Sequence, residues 1–343
     1  TTAKIIVLDK SERNVLFYKY ERHQAKVQEC LLAFFHQLKE QMGDVTLSIN
    51  ITGSVGMGIA EKYSLPFVQE VVAAAQYIRQ NHPGISSMID IGGEDAKVVL
   101  FQGNHIDLRM NGNCAGGTGA FIDQMAVLLG VDIEELSRLA LQAEHIHPIA
   151  ARCGVFSKTD IQNLVSRNVP LGDIAASIFH AVAVQTIVTL SRGWTFHPPI
   201  LLCGGPLTFI PALRKAFADY LHLQESDFIL PASGNLLPAL GCALCATEEK
   251  AVSLSTLENL ISRSTNITTK NSLPPLFDSE TDYDNWKKEK AHYNWPSAAL
   301  VQGIQEAVLG IDSGSTTTKI VVTTPDGAIL FSHYAPNLGN PLE

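Results

Sequence analysis

Short β-branched and aromatic runs alternate along the chain with segments that carry apolar residues three and four positions apart. Two apolar runs, 4–8 and 15–20, flank a polar turn and predict a β-hairpin. Helical spacing then predicts a helix over 26–42, ended by Gly43. The same criteria predict strands at 45–51, 87–91, 97–101, 105–110 and 200–203, and helices at 68–79, 120–129, 133–143, 158–166, 175–192, 211–221 and 238–248. Strands that alternate with helices predict an α/β fold.

The pattern changes over 251–305, where Ser, Thr, Asn and Pro become frequent and a linker or loosely packed arm is expected. Beyond it, the run 316–322 (TTTKIVV) repeats the run 1–7 (TTAKIIV), and Tyr334 corresponds to Tyr20. An internal repeat at this separation indicates duplicated domains. The hypothesis is that the sequence belongs to a longer tandem protein.

This duplication predicts where the last strand pairs. Residues 309–315 precede the second copy of the repeat, and the first copy lacks their counterpart in this sequence. We expect the strand within 308–323 to pair beside residues 4–8, in one chain or by exchange between chains, because an unpaired buried edge is costly. The roughly fifty polar residues between the two parts give ample reach, at up to ~3.3 Å per residue.

Composition excludes several classes of protein. Of the 343 residues, 46% are hydrophobic and 17% are charged, which is typical of a globular protein. The net charge of −9 (25 basic and 34 acidic residues) argues against a nucleic-acid partner. We find no apolar run near the ~20 residues of a membrane span. Six cysteines in so long a chain do not indicate a secreted disulfide scaffold, so a cytoplasmic protein with reduced thiols is expected.

Three segments place small residues, often with an acid, directly after an apolar strand. They are 309–316 (LGIDSGST), 89–95 (IDIGGED) and 202–206 (LCGGP). Glycine lets backbone N–H groups approach phosphate oxygens, and Ser and Thr add hydroxyl donors. Asp90 and Asp312 are suited to hold Mg²⁺ through water or to position an attacking water. Each segment alone could be an ordinary tight turn, but the three together favour a phosphate site.

The three segments resemble those of the actin, Hsp70 and sugar-kinase ATPase superfamily. The resemblance implies two ribonuclease H-like lobes with ATP or ADP and Mg²⁺ in the cleft between them. It assigns Asp90 and Asp312 as catalytic residues that hold Mg²⁺ through water. The nucleotide-binding residues that it implies are Gly92, Gly93, Glu94, Gly204, Gly205, Pro206, Ser313, Gly314, Ser315, Thr316, Thr317 and Lys319.

Two cysteines precede predicted helices. Cys114 lies in MNGNCAGGTGAF and Cys153 in ARCGVFSKTD, where Ser157 and Asp160 have capping-box spacing. A helix N-terminus lowers a thiol pKa and favours a negatively charged ligand such as a thiolate-bound iron–sulfur cluster. Two cysteines are half of the ligands of a cubane, so a symmetric pair of such units would supply four. From the residues alone, a buried structural role remains the favoured alternative for each cysteine.

The segments 89–97, 113–124 and 152–160 closely resemble the activator ATPases of 2-hydroxyacyl-CoA dehydratases and benzoyl-CoA reductases, most of all their large tandem relatives. This resemblance implies a homodimer that shares one [4Fe-4S] cluster, ligated by Cys114 and Cys153 of each subunit. It also implies that ATP binding and hydrolysis move the helices beside the cluster. That motion passes one low-potential electron to a partner dehydratase.

Together these observations predict a two-lobed actin-like ATPase with a C-terminal linker and an extra strand that repeats the first phosphate loop. Lobe I comprises 1–86 and 238–250, lobe II 87–237, the linker 251–306, and 307–343 begins a second repeat. In the full-length protein, the second repeat could pair with the first repeat in place of a second subunit. Two other functions stay open: a small-molecule kinase of the same fold, and a non-catalytic regulatory module derived from an ATPase.

Overall fold

The computed structural model describes residues 1–11, 13–103, 105–111, 115–151, 153–247, 251–262, 273–301, 303, 306–314 and 317–336. These residues form two compact units. The first unit comprises Thr1–Ile161 and Val169–Ser264, and the second comprises Gln162–Asn168 and Thr265–Glu343.

The order of strands and helices follows the predicted alternation. The strands are β1 (Thr2–Leu8), β2 (Val15–Arg22), β3 (Thr46–Ser48), β4 (Ser87–Ile91), β5 (Ala96–Gln102), β6 (His105–Asn111), β7 (Ile200–Cys203), β8 (Phe228–Ile229), β9 (Ala251–Ser253), β10 (Val308–Ser313), β11 (Thr317–Thr323) and β12 (Ile329–Pro336). The helices are α1 (Val27–Met42), α2 (Ser54–Tyr63), α3 (Glu70–Asn81), α4 (Gly119–Leu128), α5 (Ile133–Ala140), α6 (Gly154–Ser166), α7 (Leu171–Ser191), α8 (Gly205–Phe209), α9 (Pro211–Leu221), α10 (Leu237–Leu244), α11 (Leu254–Ser262) and α12 (Glu280–Ala291).

A five-stranded sheet forms the centre of the first unit, with the order β6-β5-β4-β7-β8. β4 runs antiparallel to β5 and parallel to β7, and all five of its residues are buried. Met88 and Val99 pack with Ala74 and Ile78 of α3 on one face. α7 contacts β5 and β6. This mixed sheet with its packed helices confirms the predicted α/β class.

The predicted hairpin is present at the start of the chain, since β1 pairs antiparallel with β2. Its apolar side packs with Phe35 and Leu38 of α1, and Gly43 ends that helix with φ +76° as expected. This cluster also contains Leu257 and Ile261, which α11 contributes. Residues 251–262 therefore form a strand and a packed helix, where the polar composition had indicated a linker. The reason is that the apolar residues of α11 recur at helical spacing among Ser and Thr.

α7 is long and apolar enough to cross a membrane by length and composition, with a mean hydropathy of 1.7 over its most apolar window. The expectation that no apolar run approaches such a length is therefore wrong for this helix. However, 72% of that window is buried inside the protein. Since α5 and α9 both pack against it, α7 is a core helix of the first unit.

The second unit contains a three-stranded antiparallel sheet of the order β10-β11-β12. Its β11–β12 pair reproduces the β1–β2 pair in register. Lys319 lies opposite Tyr334 as Lys4 lies opposite Tyr20, and both hairpins have a register shift one residue from the end of the first strand. The sequence repeat is therefore also a repeat of structure.

β10 pairs with β11, whereas β1 pairs with β2 alone among the described residues. The expected pairing of the strand in 308–323 beside residues 4–8 is therefore not present within this chain. The physical reason is local: β11 follows β10 after a short turn, and closing so short a loop costs little entropy. Exchange of this strand between two chains stays a prediction.

Candidate functional site

Asp90 lies in the central strand of the main sheet and is only 4% exposed. It is directly opposite Lys97 on β5 and Cys203 on β7. β4 ends at Ile91, and the N–H of the next residue, Gly92, donates to Asp95 O at 2.8 Å. The predicted phosphate loop is thus the tight turn between β4 and β5, with a buried carboxylate at its base.

A buried cation, Lys97, lies beside this turn. Lys97 is 5% exposed, and its Nζ lies 2.9 Å from Glu70 Oε2 and 2.9 Å from Asp95 Oδ2. Burial alone would lower the pKa of Lys97, but Asp90, Glu70 and Asp95 together raise it above its ordinary value. Burial raises the pKa of Asp90, and Lys97 and Lys4 offset part of that rise. Lys97 therefore stays charged and is the main favourable partner of Asp90.

The turn after β7 meets the turn after β4. Gly204 has φ +89°, and a Cβ there would collide with Ile91 O and Asp90 Oδ1. Gly204 N donates to Gly234 O at 3.1 Å, which fixes the turn. At Gly205 a Cβ would collide with the hydroxyl of Tyr20. The structure therefore brings the turn after β7 against Asp90 and Ile91, and these close approaches explain why glycine occupies positions 204 and 205.

Glu94 and Gly93 line a cavity of about 630 Å³ in the first unit. The side chain of Thr1 approaches Gly93 so closely that a Cβ at Gly93 would collide with it. Pro238 and Ala239 of α10 also line this cavity. The predicted phosphate loop therefore borders this cavity.

The remaining predicted phosphate residues belong to the second unit. Lys319 Nζ lies 2.6 Å from Asp312 Oδ2, and this hydrogen bond raises the pKa of Lys319. Gly314 N donates to Thr317 O at 2.9 Å and closes the turn that follows Ser313. Ser315 and Thr316 lie outside the described residues. Asp90 and Asp312 are therefore found in different units of the chain.

Asp312 and Lys319 face each other across β10 and β11, seven positions apart, as Asp90 and Lys97 do across β4 and β5. In both hairpins the acid is near the end of the first strand and the turn follows it. The sequence did not reveal this correspondence, because the flanking residues differ. The signal that could have found it is the shared spacing of one acid and one lysine around a glycine turn.

Cys153 is partly exposed and directly precedes α6, whereas Cys114 and Arg152 lie outside the described residues. α6 begins at Gly154, four residues before the predicted start. Ser157 is therefore inside the helix, where its hydroxyl donates to Cys153 O at 2.9 Å and to Ala150 O. The expected capping box is wrong, because Ser157 bonds back to the preceding turn and Asp160 accepts from Ala150 N at 2.8 Å.

The chain segment after Cys114 meets the helix that follows Cys153. A Cβ at Gly116 would lie 3.3 Å from Gly154 N, and one at Gly154 would lie 3.6 Å from Gly116 N. Gln185 of the core helix also contacts this point, since a Cβ at Gly116 would lie 2.8 Å from its Oε1. The described neighbours of the two cysteines are thus in direct contact.

Two backbone hydrogen bonds join this region to the phosphate loop. Gly119 N donates to Gly92 O at 2.9 Å, and Ala120 N donates to Gly93 O at 2.8 Å. Gly119 and Ala120 are the first residues of α4, so the loop carbonyls accept the otherwise free N–H groups of that helix. Sequence reasoning missed this link, since no side-chain motif encodes it.

The other described cysteines are poor candidates for thiolate ligands. Burial raises the pKa of Cys242 to about 12 and raises the pKa of Cys203 well above its ordinary value. Burial also raises the pKa of Cys30 and Cys245. Within the described ranges, three or more His, Cys, Asp or Glu residues do not gather as a metal site.

Known proteins resemble this chain in sequence and in fold. The sequence profile of the BadF/BadG/BcrA/BcrD ATPase family matches residues 1–246. The (R)-2-hydroxyglutaryl-CoA dehydratase activating ATPase of Acidaminococcus fermentans is 32% identical over 217 residues, which cover 63% of this chain and 80% of that protein. The 2-hydroxyisocaproyl-CoA dehydratase activator of Clostridioides difficile is 29% identical over 195 residues, which cover 56% and 71%.

Among solved structures, the A. fermentans (R)-2-hydroxyglutaryl-CoA dehydratase component A matches with a TM-score of 0.60 and 25% identity, covering 72% of this chain and 93% of that chain. An activator of the 2-hydroxyisocaproyl-CoA dehydratase from C. difficile with bound ADPNP matches with a TM-score of 0.62 and 23% identity, covering 77% and 96%. The predicted actin-like fold is confirmed. The chain belongs to the BadF/BadG/BcrA/BcrD ATPase family.

Proposed function

We propose that this chain is an ATP-hydrolysing activator that transfers a low-potential electron to a 2-hydroxyacyl-CoA dehydratase-type enzyme. The observation that carries the proposal is the pair of hydrogen bonds from Gly119 and Ala120 to the carbonyls of Gly92 and Gly93. They attach the proposed phosphate loop directly to the helix that follows Cys114. The names of the relatives, which are dehydratase activators, support the choice of partner.

The proposed ATP site uses the turns that the structure brings together. Gly92 and Gly93, with Glu94, would donate to or border the phosphates, and Gly204, Gly205 and Pro206 would border the adenosine. Asp90 would hold Mg²⁺ through water and orient the attacking water. Lys97 favours the charged form of Asp90, and a charged carboxylate accepts hydrogen bonds from such waters. Asp312, Ser313, Gly314, Ser315, Thr316, Thr317 and Lys319 are proposed as a first phosphate loop.

Hydrolysis of ATP would shift the chain near the cysteines through backbone contacts. Loss of the terminal phosphate changes what the N–H groups of the loop bind, and the loop carbonyls are fixed to α4. A shift of the loop therefore moves α4, and the contact between Gly116 and Gly154 carries the shift to α6. ATP can favour one arrangement only by binding it more tightly than the other.

Among the described residues, Cys153 fits one of the four ligand positions of a [4Fe-4S] site. Cys153 is partly exposed at a helix N-terminus, while burial disfavours the thiolates of the other described cysteines. Val155 and Phe156 beside it are 72% and 66% exposed, which suits a contact with a second copy. Cys114 and Cys153 of two subunits, or of two repeats, would supply four thiolates. When bound, such a cluster stores and releases one electron at low potential.

Anaerobic purification with iron and sulfide analysis tests this function. We expect a brown protein with about two iron atoms per chain, half of one shared [4Fe-4S] cluster. Cys153→Ser should lose the iron and the ability to reduce a partner dehydratase. Cys245→Ser is the matched control, because this partly buried thiol is remote from the proposed ligands in sequence and its pKa is raised by burial.

A colourless wild-type protein that releases ADP only with a sugar would contradict the proposal and favour a kinase. If Cys153→Ser kept its iron and reduced the partner like wild type, the chain would be a regulatory module. The reduced thiols that the cluster needs make the cytoplasm the proposed location.

A further inference from the structure

β6 forms one edge of the main sheet of the first unit. Among the described residues, this strand pairs with β5 and with no other strand. Its pairing with β5 has a regular register without a bulge, and the strand contains neither Pro nor Lys. Bulges, prolines and lysines usually protect a sheet edge, whose unpaired N–H and C=O groups can otherwise bind a further strand. The middle of β6, residues 106–110, is therefore suited to pair with another strand.

One face of β6 is apolar and partly uncovered. Ile106, Leu108 and Met110 alternate along the strand and therefore lie on the same side of the sheet. α3 packs on that side, since Leu108 lies opposite Val99, which packs with residues of that helix. At the edge itself, Leu108 and Met110 remain 42% and 52% exposed. A strand added to β6 would shield these two side chains in part from water, which is favourable.

The other face of β6 carries one acid and one base, which flank Leu108 in the sequence. Arg109 Nε donates to Asp107 Oδ2 at 2.9 Å, and Arg109 Nη1 donates to Leu190 O near the end of α7 at 3.2 Å. Opposite charges that face each other across neighbouring strands stabilise the pair, whereas like charges destabilise it. Asp107 and Arg109 therefore select the register in which another strand can pair with β6.

A second copy of β6 meets this condition. Antiparallel pairing about a two-fold axis at Leu108 places Asp107 opposite Arg109 of the second copy, and the same pair recurs on the other side of the axis. It also places Ile106 opposite Met110, and Leu108 opposite its own counterpart. A shift of two residues in either direction would instead place Asp107 opposite Asp107 or Arg109 opposite Arg109. The sequence of β6 is thus complementary to itself about one axis.

We propose that the edge of β6 is a docking surface for β6 of a second copy of this chain, with the two-fold axis at Leu108. The pairing joins two five-stranded sheets, and it closes as a dimer because both copies use the same surface. The two strands run in opposite directions, so the ends that lead toward Cys114 point away from each other. This contact is therefore additional to a shared cluster, and it needs neither nucleotide nor cluster.

Disulfide formation between full chains tests the register. In Leu108→Cys the two new thiols meet at the axis, where opposite Cα atoms are about 4.5–5.5 Å apart and within reach of a disulfide. In the matched control Met110→Cys, the substituted position is on the same face and more exposed, but its counterpart is roughly 13 Å away along the strands. After oxidation we expect at least about tenfold more disulfide between the two positions 108 than between the two positions 110, by mass spectrometry.

Sedimentation of the full chain provides a second measurement. Cys153→Ser lacks a proposed cluster ligand, so a dimer that remains in this variant does not depend on a shared cluster. We expect Cys153→Ser to stay dimeric at micromolar concentration. Adding Leu108→Asp should weaken that dimer at least about tenfold, since two like charges would meet at the axis. Adding Val127→Asp instead, at an exposed position of α4, introduces the same charge and should leave the dimer intact.

Equal disulfide formation at positions 108 and 110, or none at position 108, would overturn the proposal. A monomeric Cys153→Ser chain, or a dimer that Leu108→Asp does not weaken, would overturn it as well. Iron content and ATP turnover are not read in either experiment, so a failure of the proposed function leaves their results unchanged.

Discussion

Replacing Lys97 by Met removes the buried cation beside Asp90. The wild-type ammonium lies 2.9 Å from both Glu70 and Asp95 and is 5% exposed. Removing one partner of a buried ion pair costs about 3–5 kcal/mol, because the other charge is left uncompensated. At roughly 2–4 °C per kcal/mol for a domain of this size, we expect the Tm to fall by about 6–20 °C.

The loss of stability in Lys97→Met should depend on pH, and the direction of this dependence follows from the pKa of Asp90. Burial already raises the pKa of Asp90, so its charged form is less stable in the folded than in the unfolded state. Stability from this group is present at low pH and is lost as the pH rises through its folded pKa. Without Lys97 that pKa rises further, so the variant should be most destabilised near pH 7 and less so near pH 5. The raised pKa of Lys97 keeps the wild-type lysine charged at both pH values.

Thermal and urea unfolding of Lys97→Met at the two pH values provide the assay. Lys215→Met is the matched control, because the exposed ion pair between Lys215 and Asp219, at 2.6 Å, should be worth about 1 kcal/mol or less. Asp90→Asn added to Lys97→Met should recover part of the lost stability. A loss of stability in Lys97→Met that is no larger than in Lys215→Met, or that is the same at both pH values, would contradict this role of Lys97.

Three further substitutions test other parts of the structure. Gly204→Ala places a Cβ against Ile91 O at φ +89°, so we expect at least about 2 kcal/mol of destabilisation, and weaker ATP binding by calorimetry. The control Gly130→Ala has open space around the new Cβ and should destabilise the protein by about 1 kcal/mol. Leu257→Ala should destabilise the first unit by about 2–5 kcal/mol in urea unfolding, and near-neutral behaviour like that of the exposed Leu276→Ala would contradict the packing of α11. In Gly116→Ala the new Cβ would collide with Gln185, so we expect slower ATP-dependent reduction of the dehydratase while ATP still binds. An unchanged rate would contradict the proposed coupling between the phosphate loop and the cysteines through Gly116.

Many strands of the first unit were predictable because their signals are local. The hairpin β1–β2 and the strand that carries Asp90 follow from short apolar runs bounded by turns. Asp90 and the glycines could be assigned for the same reason, since each motif lies directly after its own strand. Packing adds that the turn after β7 lies against the end of β4, since a Cβ at Gly204 would collide with Ile91 O.

Elements that depend on distant partners were not predictable in the same way. α11 lies in polar surroundings and is stabilised by Phe35 and Leu38 of α1, more than 200 residues earlier in the chain. α6 begins at Gly154 because Ser157 and Asp160 bond to the chain before the helix, and local spacing alone favoured a later start.

The link between the phosphate loop and α4 lies beyond sequence reasoning altogether. It consists of backbone N–H and C=O groups, which every residue type carries. Only the path of the chain decides that Gly119 meets Gly92. The same holds for the contact between Gly116 and Gly154. The absence of side chains permits the close approach, but it does not determine which residue is approached.

The proposed function requires that the nucleotide at Gly92 and Gly93 change the surroundings of the thiolates, which precede α4 and α6. Electron paramagnetic resonance of the reduced, anaerobic protein tests it most directly, with ADP in one sample and a non-hydrolysable ATP analogue in the other. We expect a cluster signal whose g-values differ between the two nucleotides in the wild-type protein and no longer differ in Gly116→Ala. A signal that is identical with both nucleotides in the wild-type protein would contradict it.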